Sequence, residues 1–235
     1  MSIPETTQIK AFDDLIKALY DANVLDSVLI IGSWAEYMYV ETGLLDYQIN
    51  MRTQDIDVLI CNKNKPQAPL NKIMEEQGFE LLVDTNGLMK YDKSGEIEVE
   101  FLVREMGRGQ IEPYMTELGV TAQGLRYMDI LIDNQKQAIY KKYSVCIPKP
   151  TAYVLHKLII NKDRAVHKKD KDAEAISNIL LFAANDDFIS ELKMLFEMQS
   201  EKTKGKIIAT CNAHPSLHDL QKIFVQQGRF FLDIL

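Results

Sequence analysis

The segment Thr53-Gln54-Asp55-Ile56-Asp57-Val58-Leu59-Ile60 constrains the fold of this chain more than any other segment. Two carboxylates stand one residue apart at the start of an otherwise apolar run. Because side chains alternate along a strand, Asp55 and Asp57 point to the same face, with Cα atoms about 7 Å apart. Like charges at this distance repel unless a cation neutralises them, and Mg²⁺ prefers carboxylate oxygens. The segment therefore predicts a strand that carries a metal site.

Two flanking segments add to this prediction. Upstream, Ile30-Ile31-Gly32-Ser33-Trp34 is an apolar strand that ends in a Gly-Ser turn, and the helix predicted after it offers backbone N–H groups to a phosphate. Downstream, Glu96-Ile97-Glu98-Val99-Glu100-Phe101-Leu102 places acids at alternate positions, so Glu98 and Glu100 are candidates for a third carboxylate. Each segment alone has an ordinary explanation as a turn, a strand entry or a solvated edge. Together, in this order, they indicate metal-dependent chemistry on a phosphate-bearing substrate.

The composition is that of an ordinary globular protein, with 46% hydrophobic and 26% charged residues among 235. No apolar run reaches the roughly 18 residues that span a bilayer, and the N-terminus lacks the features of a secretory signal. Three scattered cysteines, Cys61, Cys146 and Cys211, argue against disulfides and a cysteine zinc site, so we expect a cytoplasmic location and no membrane partner. The net charge of −7 disfavours a long nucleic acid as partner but allows a nucleotide.

The pattern of apolar residues predicts an α/β (α+β) fold, in which a mixed β-sheet is flanked by helices and followed by a helical C-terminal region. We expect an α/β domain over residues 1–150 and a helical region over 151–235 that packs on it. The predicted elements are helices at 5–23, 33–40 and 66–77, strands at 27–32, 55–61, 79–84, 128–132 and 143–147, a hairpin over 88–103, and about four helices after 151. Residues 104–127 show no clear element.

These residues resemble the nucleotidyltransferase superfamily of DNA polymerase β type. Its pattern is an apolar residue followed by Gly-Gly or Gly-Ser, then an Asp-x-Asp strand, then an acid on a later strand. Within it, the chain is most similar to bacterial nucleotidyltransferase-like proteins with a Thr-x-Asp-Ile-Asp core and a later helix near Ala152-Tyr153-Val154-Leu155-His156-Lys157-Leu158. The resemblance covers roughly residues 25–180. It implies that the α/β fold expected above is nucleotidyltransferase-like.

The resemblance also implies an activity, which is Mg²⁺-dependent transfer of a nucleoside monophosphate from an NTP to an acceptor hydroxyl with release of pyrophosphate. Mn²⁺ is the alternative ion to Mg²⁺, and ATP is the first candidate among the NTPs. Asp55, Asp57 and Glu100, with Glu98 as the alternative to Glu100, would be the catalytic and metal-binding residues, while Gly32 and Ser33 would bind the triphosphate. The acceptor stays open between an aminoglycoside-like small molecule, a protein side chain and an RNA end, and the oligomeric state is equally open.

A basic segment provides further candidates for phosphate binding. On a continuous helix, Lys157, Arg164, Lys168 and Lys171 fall within roughly 60° of arc and form one stripe. The resemblance assigns Lys157, Arg164 and Lys168 to nucleotide phosphate. The stripe requires that the helix does not break at 161–165. The alternative is a solvated helix face whose side chains cover apolar neighbours.

Other interpretations remain open at this point. Trp34 is predicted as a core residue rather than a base-stacking platform, and Arg52 is a candidate for phosphate contact or for a surface role. The stretch between Ser33 and Asp55 is longer than in compact superfamily members, so it forms a lid or extends the helix. The rival to an enzyme is a non-catalytic module on the same fold, which binds a nucleotide or acts as an antitoxin-like regulator. A third alternative is a protein-interaction domain with the acids at a sheet edge.

Overall fold

The computed structural model describes residues 4–49, 53–61, 69–105, 107 and 112–225. The chain divides into two compact units, Met1–Lys149 and Pro150–Leu235. That these units are the separate domains expected from the sequence stays a prediction. In the described ranges, no helix has both the length and the apolar character that a bilayer crossing requires.

The first unit alternates helices and strands. In chain order its elements are α1 (Pro4–Asp21), β1 (Val28–Ile31), α2 (Ser33–Glu41), β2 (Asp55–Ile60), α3 (Leu70–Glu76), β3 (Glu80–Val83), β4 (Met89–Lys93), β5 (Ile97–Arg104), β6 (Tyr114–Met115), β7 (Thr121–Leu125), α4 (Met128–Asp133), β8 (Gln135–Tyr140) and β9 (Tyr143–Pro148). A short 3-10 turn, Leu25–Ser27, leads into β1.

Seven of these strands form one mixed sheet, which confirms the predicted fold class. Its main path runs β1-β2-β5-β4-β3, and β7 pairs with both β5 and β6. The β2–β5 and β5–β7 pairs are parallel, whereas β1–β2, β3–β4 and β4–β5 are antiparallel. Strands β8 and β9 form a separate antiparallel hairpin.

Helix α1 contributes to the core of the first unit. Helix α1 contacts both α3 and β5, and its apolar face, which includes Phe12 and Leu15, is fully buried. Trp34, at the start of α2, is 1% exposed and stacks on Phe12 with ring centroids 4.4 Å apart. The predicted core role of Trp34 is therefore confirmed.

The second unit is helical in its described part. Its elements are α5 (Pro150–Asn161), α6 (Val166–Ala183), α7 (Asp186–Glu197), α8 (Glu201–Ala213), a 3-10 turn (Pro215–Leu217) and α9 (His218–Val225). Five α-helices thus occupy a region for which about four were predicted. The additional helix arises because the chain leaves the helical path after Asn161 and begins a new helix at Val166.

The hairpin predicted over 88–103 is confirmed as β4 and β5. Ser94 and Gly95 at its turn have φ values of 55° and 71°, the left-handed backbone that a tight antiparallel turn requires. The strand predicted at 143–147 is confirmed as β9, and β8 was not predicted. Of the helix predicted at 66–77, α3 is the described part, since residues 66–68 lie outside the described ranges.

Two predictions in the middle of the chain were wrong. The strand expected at 128–132 is helix α4, because Met128 and Leu131 are buried at helical spacing and Tyr127 turns the chain with a φ of 65°. The stretch 104–127, for which no element was assigned, contains β6 and β7. The extension of α2 is also excluded for the described residues, since α2 ends at Glu41 and 42–49 form turns.

Candidate active site on the open face of the sheet

Asp55 and Asp57 open strand β2 and share one face of the sheet. Asp55 is exposed and Asp57 is half-buried, whereas Ile56 between them is fully buried. This alternation is the one expected from the period of a strand. The two acids therefore lie on the open face, opposite the apolar side chains that form the core.

The Gly-Ser turn lies directly beside Asp57. Strand β1 runs antiparallel to β2 with Ile31 paired to Asp57, so the chain enters α2 at that point. Gly32 has φ 65° and ψ −152°, a combination that is close to the region accessible only to glycine. A Cβ atom on Gly32 would lie 2.7 Å from the Asp57 Oδ2 atom. The turn and the acid are therefore in contact, and only glycine fits between them.

We expect Gly32→Ala to destabilise the protein by about 1–3 kcal/mol and to displace the Asp57 carboxylate, because the new methyl group is strained and overlaps Oδ2. Thermal melting and Mn²⁺ titration would measure the two effects. Gly43→Ala is the matched control, since Gly43 also has a positive φ of 68° but no atom within 4 Å of an added Cβ. Equal losses of Mn²⁺ affinity in both variants would contradict the assignment.

Strand β5 brings two further acids next to this pair. Because β5 is parallel to β2, Glu98 stands beside Asp55 and Glu100 beside Asp57. The side chains of Glu98 and Glu100 are 31% and 24% exposed, while Val99 between them is fully buried. The structure thus brings four of the predicted acids together on one face. The register places Glu100 beside Asp57, the acid that Gly32 contacts, and the choice of Glu100 over Glu98 as third acid stays a prediction.

Lys90 is a residue of this face that sequence reasoning did not identify. It lies on β4 opposite Glu100, and its ammonium pairs with both Glu98, at 2.7 Å, and Glu100. Hydrogen bonds to Glu100 and then Glu98 raise the pKa of the Lys90 side chain, so it stays protonated. The predicted turn, Asp92–Gly95, would pair Lys90 with Ile97, whereas the observed register pairs Lys93 with Ile97 and so aligns Lys90 with Glu100.

The donor set fits a hard divalent cation. Within the described ranges, no three acidic, histidine or cysteine side chains converge closely enough to enclose a metal ion. Mg²⁺ does not need such a cage, since proteins usually hold it through one or two carboxylates together with substrate phosphates and water. Asp55 and Asp57 would supply these carboxylates, and the backbone of Gly32 lies directly beside Asp57. Arg52 lies outside the described ranges.

The predicted cationic residues belong to the second unit, where two of them surround one acid. Lys157 on α5 donates to the Asp172 carboxylate of α6 at 2.6 Å, and Arg164 lies 3.4 Å from the same group. The side chains of Lys157 and Asp172 are only 11% and 3% exposed. Lys168 and Lys171 are exposed on α6. Because the helix breaks at 162–165, the continuous stripe does not form, and the phosphate role of Lys157, Arg164 and Lys168 stays a prediction.

His156, next to Lys157, is expected to make stability depend on pH. Burial, with the charges of Lys157 and Arg164, lowers its pKa from 6.5 to about 3. The unfolded chain binds a proton below pH 6.5 that the folded chain does not, so stability is complete above pH 6.5 and falls as the pH decreases. Between pH 7.5 and 5.5, we expect His156 to account for a loss of about 1.4 kcal/mol.

Urea denaturation of His156→Leu at the two pH values would measure this contribution, because leucine is apolar and cannot titrate. His167→Leu is the control, since His167 is exposed on α6. If both variants kept the full pH dependence of the unmodified protein, the role of His156 would be refuted.

Comparison with known proteins finds one matching family model and similar solved structures. A family model described as nucleotidyltransferase matches residues 10–197. An antigenic nucleotidyltransferase-like protein from Paracoccidioides brasiliensis superposes with a TM-score of 0.51 at 15% identity, over 91% of this chain and 94% of that chain, which is a likeness of fold alone. The antibiotic-resistance factor ANT(2'')-Ia, solved in complex with adenylyl-2''-tobramycin, superposes with a TM-score of 0.45 at 12% identity, over 88% of this chain and 98% of that chain. None of the curated proteins matches significantly.

Proposed function

The chain belongs to the nucleotidyltransferase family, and we propose that it transfers a nucleoside monophosphate from an NTP to an acceptor hydroxyl in a Mg²⁺-dependent reaction. The observation that carries the proposal is the contact between Gly32 and Asp57. This contact supports the proposal because backbone N–H groups at a helix N-terminus can bind phosphate and a neighbouring carboxylate can bind Mg²⁺. The parallel register adds Glu98 and Glu100 to the same face.

In this proposal the residues of the site have the following tasks. Asp55, Asp57 and Glu100 would hold the metal, which would neutralise the charge that develops on the phosphates. Gly32 and Ser33 orient the β- and γ-phosphates at the start of α2. Glu100 accepts the proton of the acceptor hydroxyl as its oxygen attacks the α-phosphorus. The bond from the α-phosphorus to the bridging oxygen breaks, and pyrophosphate leaves.

The proposal leaves the NTP and the acceptor to be identified by experiment. ATP is the first NTP to test, and the acceptor is a small aminoglycoside-like molecule, a protein side chain or an RNA end. Purified protein would be incubated with each α-labelled NTP, with Mg²⁺ or Mn²⁺, and with one acceptor of each class. We expect label transfer together with stoichiometric pyrophosphate. Absence of transfer to every acceptor class, with the protein shown to be folded, would count against catalysis.

A second candidate is the non-catalytic module that binds a nucleotide or acts as an antitoxin-like regulator. The observation in its favour is Lys90, whose ammonium already pairs with both Glu98 and Glu100. Calorimetry with each NTP, with and without Mg²⁺, separates the two candidates. Binding that ignores Mg²⁺ and survives Asp57→Ala supports the module, whereas binding that requires both supports the enzyme.

A further inference from the structure

The open face of the large sheet carries a regular array of charges. Strands β2, β5 and β4 are neighbours, and their registers align two rows across the face. The residues between these positions, Ile56, Val99 and Tyr91, are fully buried on the opposite side. The rows are Asp57–Glu100–Lys90 and Asp55–Glu98–Asp92. Lys90 is therefore the one cation among these six residues.

Lys90 approaches the two glutamates of β5 from the side opposite to the aspartates of β2. Its side chain comes from β4 and pairs with Glu98 and Glu100 on the adjacent strand β5. Asp55 and Asp57 flank the same two glutamates from β2, on the other side of β5. A metal ion that bridges β2 and β5 must use a glutamate that the Lys90 ammonium already contacts. The lysine and the metal are therefore competing cations for one set of oxygens.

We propose that Lys90 is a positioning residue that competes with the divalent metal for the Glu98 and Glu100 carboxylates and so lowers the metal affinity of the free protein. The inference rests on the proposed function, since it takes the metal site of that proposal as given. If the ammonium leaves the glutamates, two ion pairs are lost, and if it stays, it repels the incoming ion. Both routes weaken metal binding.

The expected size follows from Coulomb's law. A unit charge about 7 Å from a divalent ion, in a medium close to water, changes the dissociation constant by roughly tenfold. A consequence is that metal enters this site more readily together with the phosphates of an NTP than alone, since the phosphates offset the charge of Lys90. The opposite role, in which Lys90 merely holds the glutamates in a metal-binding arrangement, predicts weaker binding when the lysine is removed.

The test is a Mn²⁺ titration without nucleotide, followed by electron paramagnetic resonance of the free ion. We expect Lys90→Met to bind Mn²⁺ about tenfold more tightly than the unmodified protein and Lys90→Arg to bind with unchanged affinity. Lys17→Met is the control, because it removes the same charge from an ion pair with Asp21 on helix α1. Circular dichroism establishes that each variant is folded, and Lys90→Gln replaces Lys90→Met if the methionine variant does not fold.

Two results overturn the inference. Unchanged or weaker Mn²⁺ binding in Lys90→Met refutes competition, and tighter binding in Lys90→Arg shows that the charge is not the cause. Asp57→Asn in the same titration separates this failure from failure of the proposed function. If Mn²⁺ binding depends on Asp57 but not on Lys90, only this inference fails. If it depends on neither residue, the proposed metal site fails with it.

Discussion

Asp57→Asn is expected to reduce nucleotide transfer by at least about 10³-fold while leaving the fold intact. Asparagine preserves the shape of the side chain beside Gly32 but removes the charge that would hold the metal in the proposed reaction. Loss of a metal that stabilises transferring phosphate costs several kcal/mol, and about 4 kcal/mol corresponds to a thousandfold in rate. The rate of label transfer at saturating NTP, measured over a range of Mg²⁺ concentrations, would show the effect. Circular dichroism would show that the variant is folded.

Asp92→Asn is the matched control for this experiment. Asp92 lies on the same face, in the row of Asp55 and Glu98, and it also loses one negative charge. Its Oδ2 atom accepts a hydrogen bond from the Gly95 backbone, a contact that the asparagine oxygen can retain. We expect less than a tenfold change. A loss as large as that of Asp57→Asn would mean that the face acts through its total charge rather than through a metal at Asp57.

Asp172→Asn is expected to destabilise the protein by about 3–5 kcal/mol. Asp172 is almost fully buried and accepts from the buried Lys157 ammonium, while Arg164 reaches the same group from the loop. Removing one partner of a buried ion pair leaves a charge without compensation in a medium that solvates it poorly. Urea denaturation followed by circular dichroism would measure the change.

Two further variants test the origin of this destabilisation. Asp163→Asn removes an exposed carboxylate that pairs with Lys206, and such exposed pairs contribute at most about 1 kcal/mol. The double variant Lys157→Met with Asp172→Leu replaces the buried pair by apolar side chains, and we expect it to recover much of the lost stability. If Asp172→Asn were no worse than Asp163→Asn, the pair would not be a buried structural element. A phosphate bound at Lys157 would also have to compete with the Asp172 carboxylate for the Lys157 ammonium group.

The acidic site could be predicted from sequence because its geometry follows from strand periodicity. Asp55 and Asp57 alternate with a buried Ile56, and the Gly-Ser turn ends the preceding apolar run, so local patterns define both parts. The hairpin was equally local, since its turn residues require left-handed backbone. These features need no knowledge of distant contacts.

The features that were missed depend on pairing between distant segments or on a competing pattern. Strand β7 forms because it pairs with β5. Residues 121–125 show no alternation of apolar and polar side chains that would predict a strand. Helix α4 was mistaken for a strand because its run of apolar residues is compatible with both structures. Lys90 was missed because it becomes part of the site only through the register of β4 against β5.

Strand β5 lies parallel to β2, and only alternate residues of β5 reach the face that carries Asp55 and Asp57. Glu98 and Glu100 lie on the same face because their positions differ by two, and the packed residues Ile97 and Val99 occupy the alternate positions. A single inserted or deleted residue early in β5 would turn both glutamates into the core and bring apolar side chains to the surface. Evolution can therefore exchange residues on this face one at a time, but it can change the length of β5 only in steps of two.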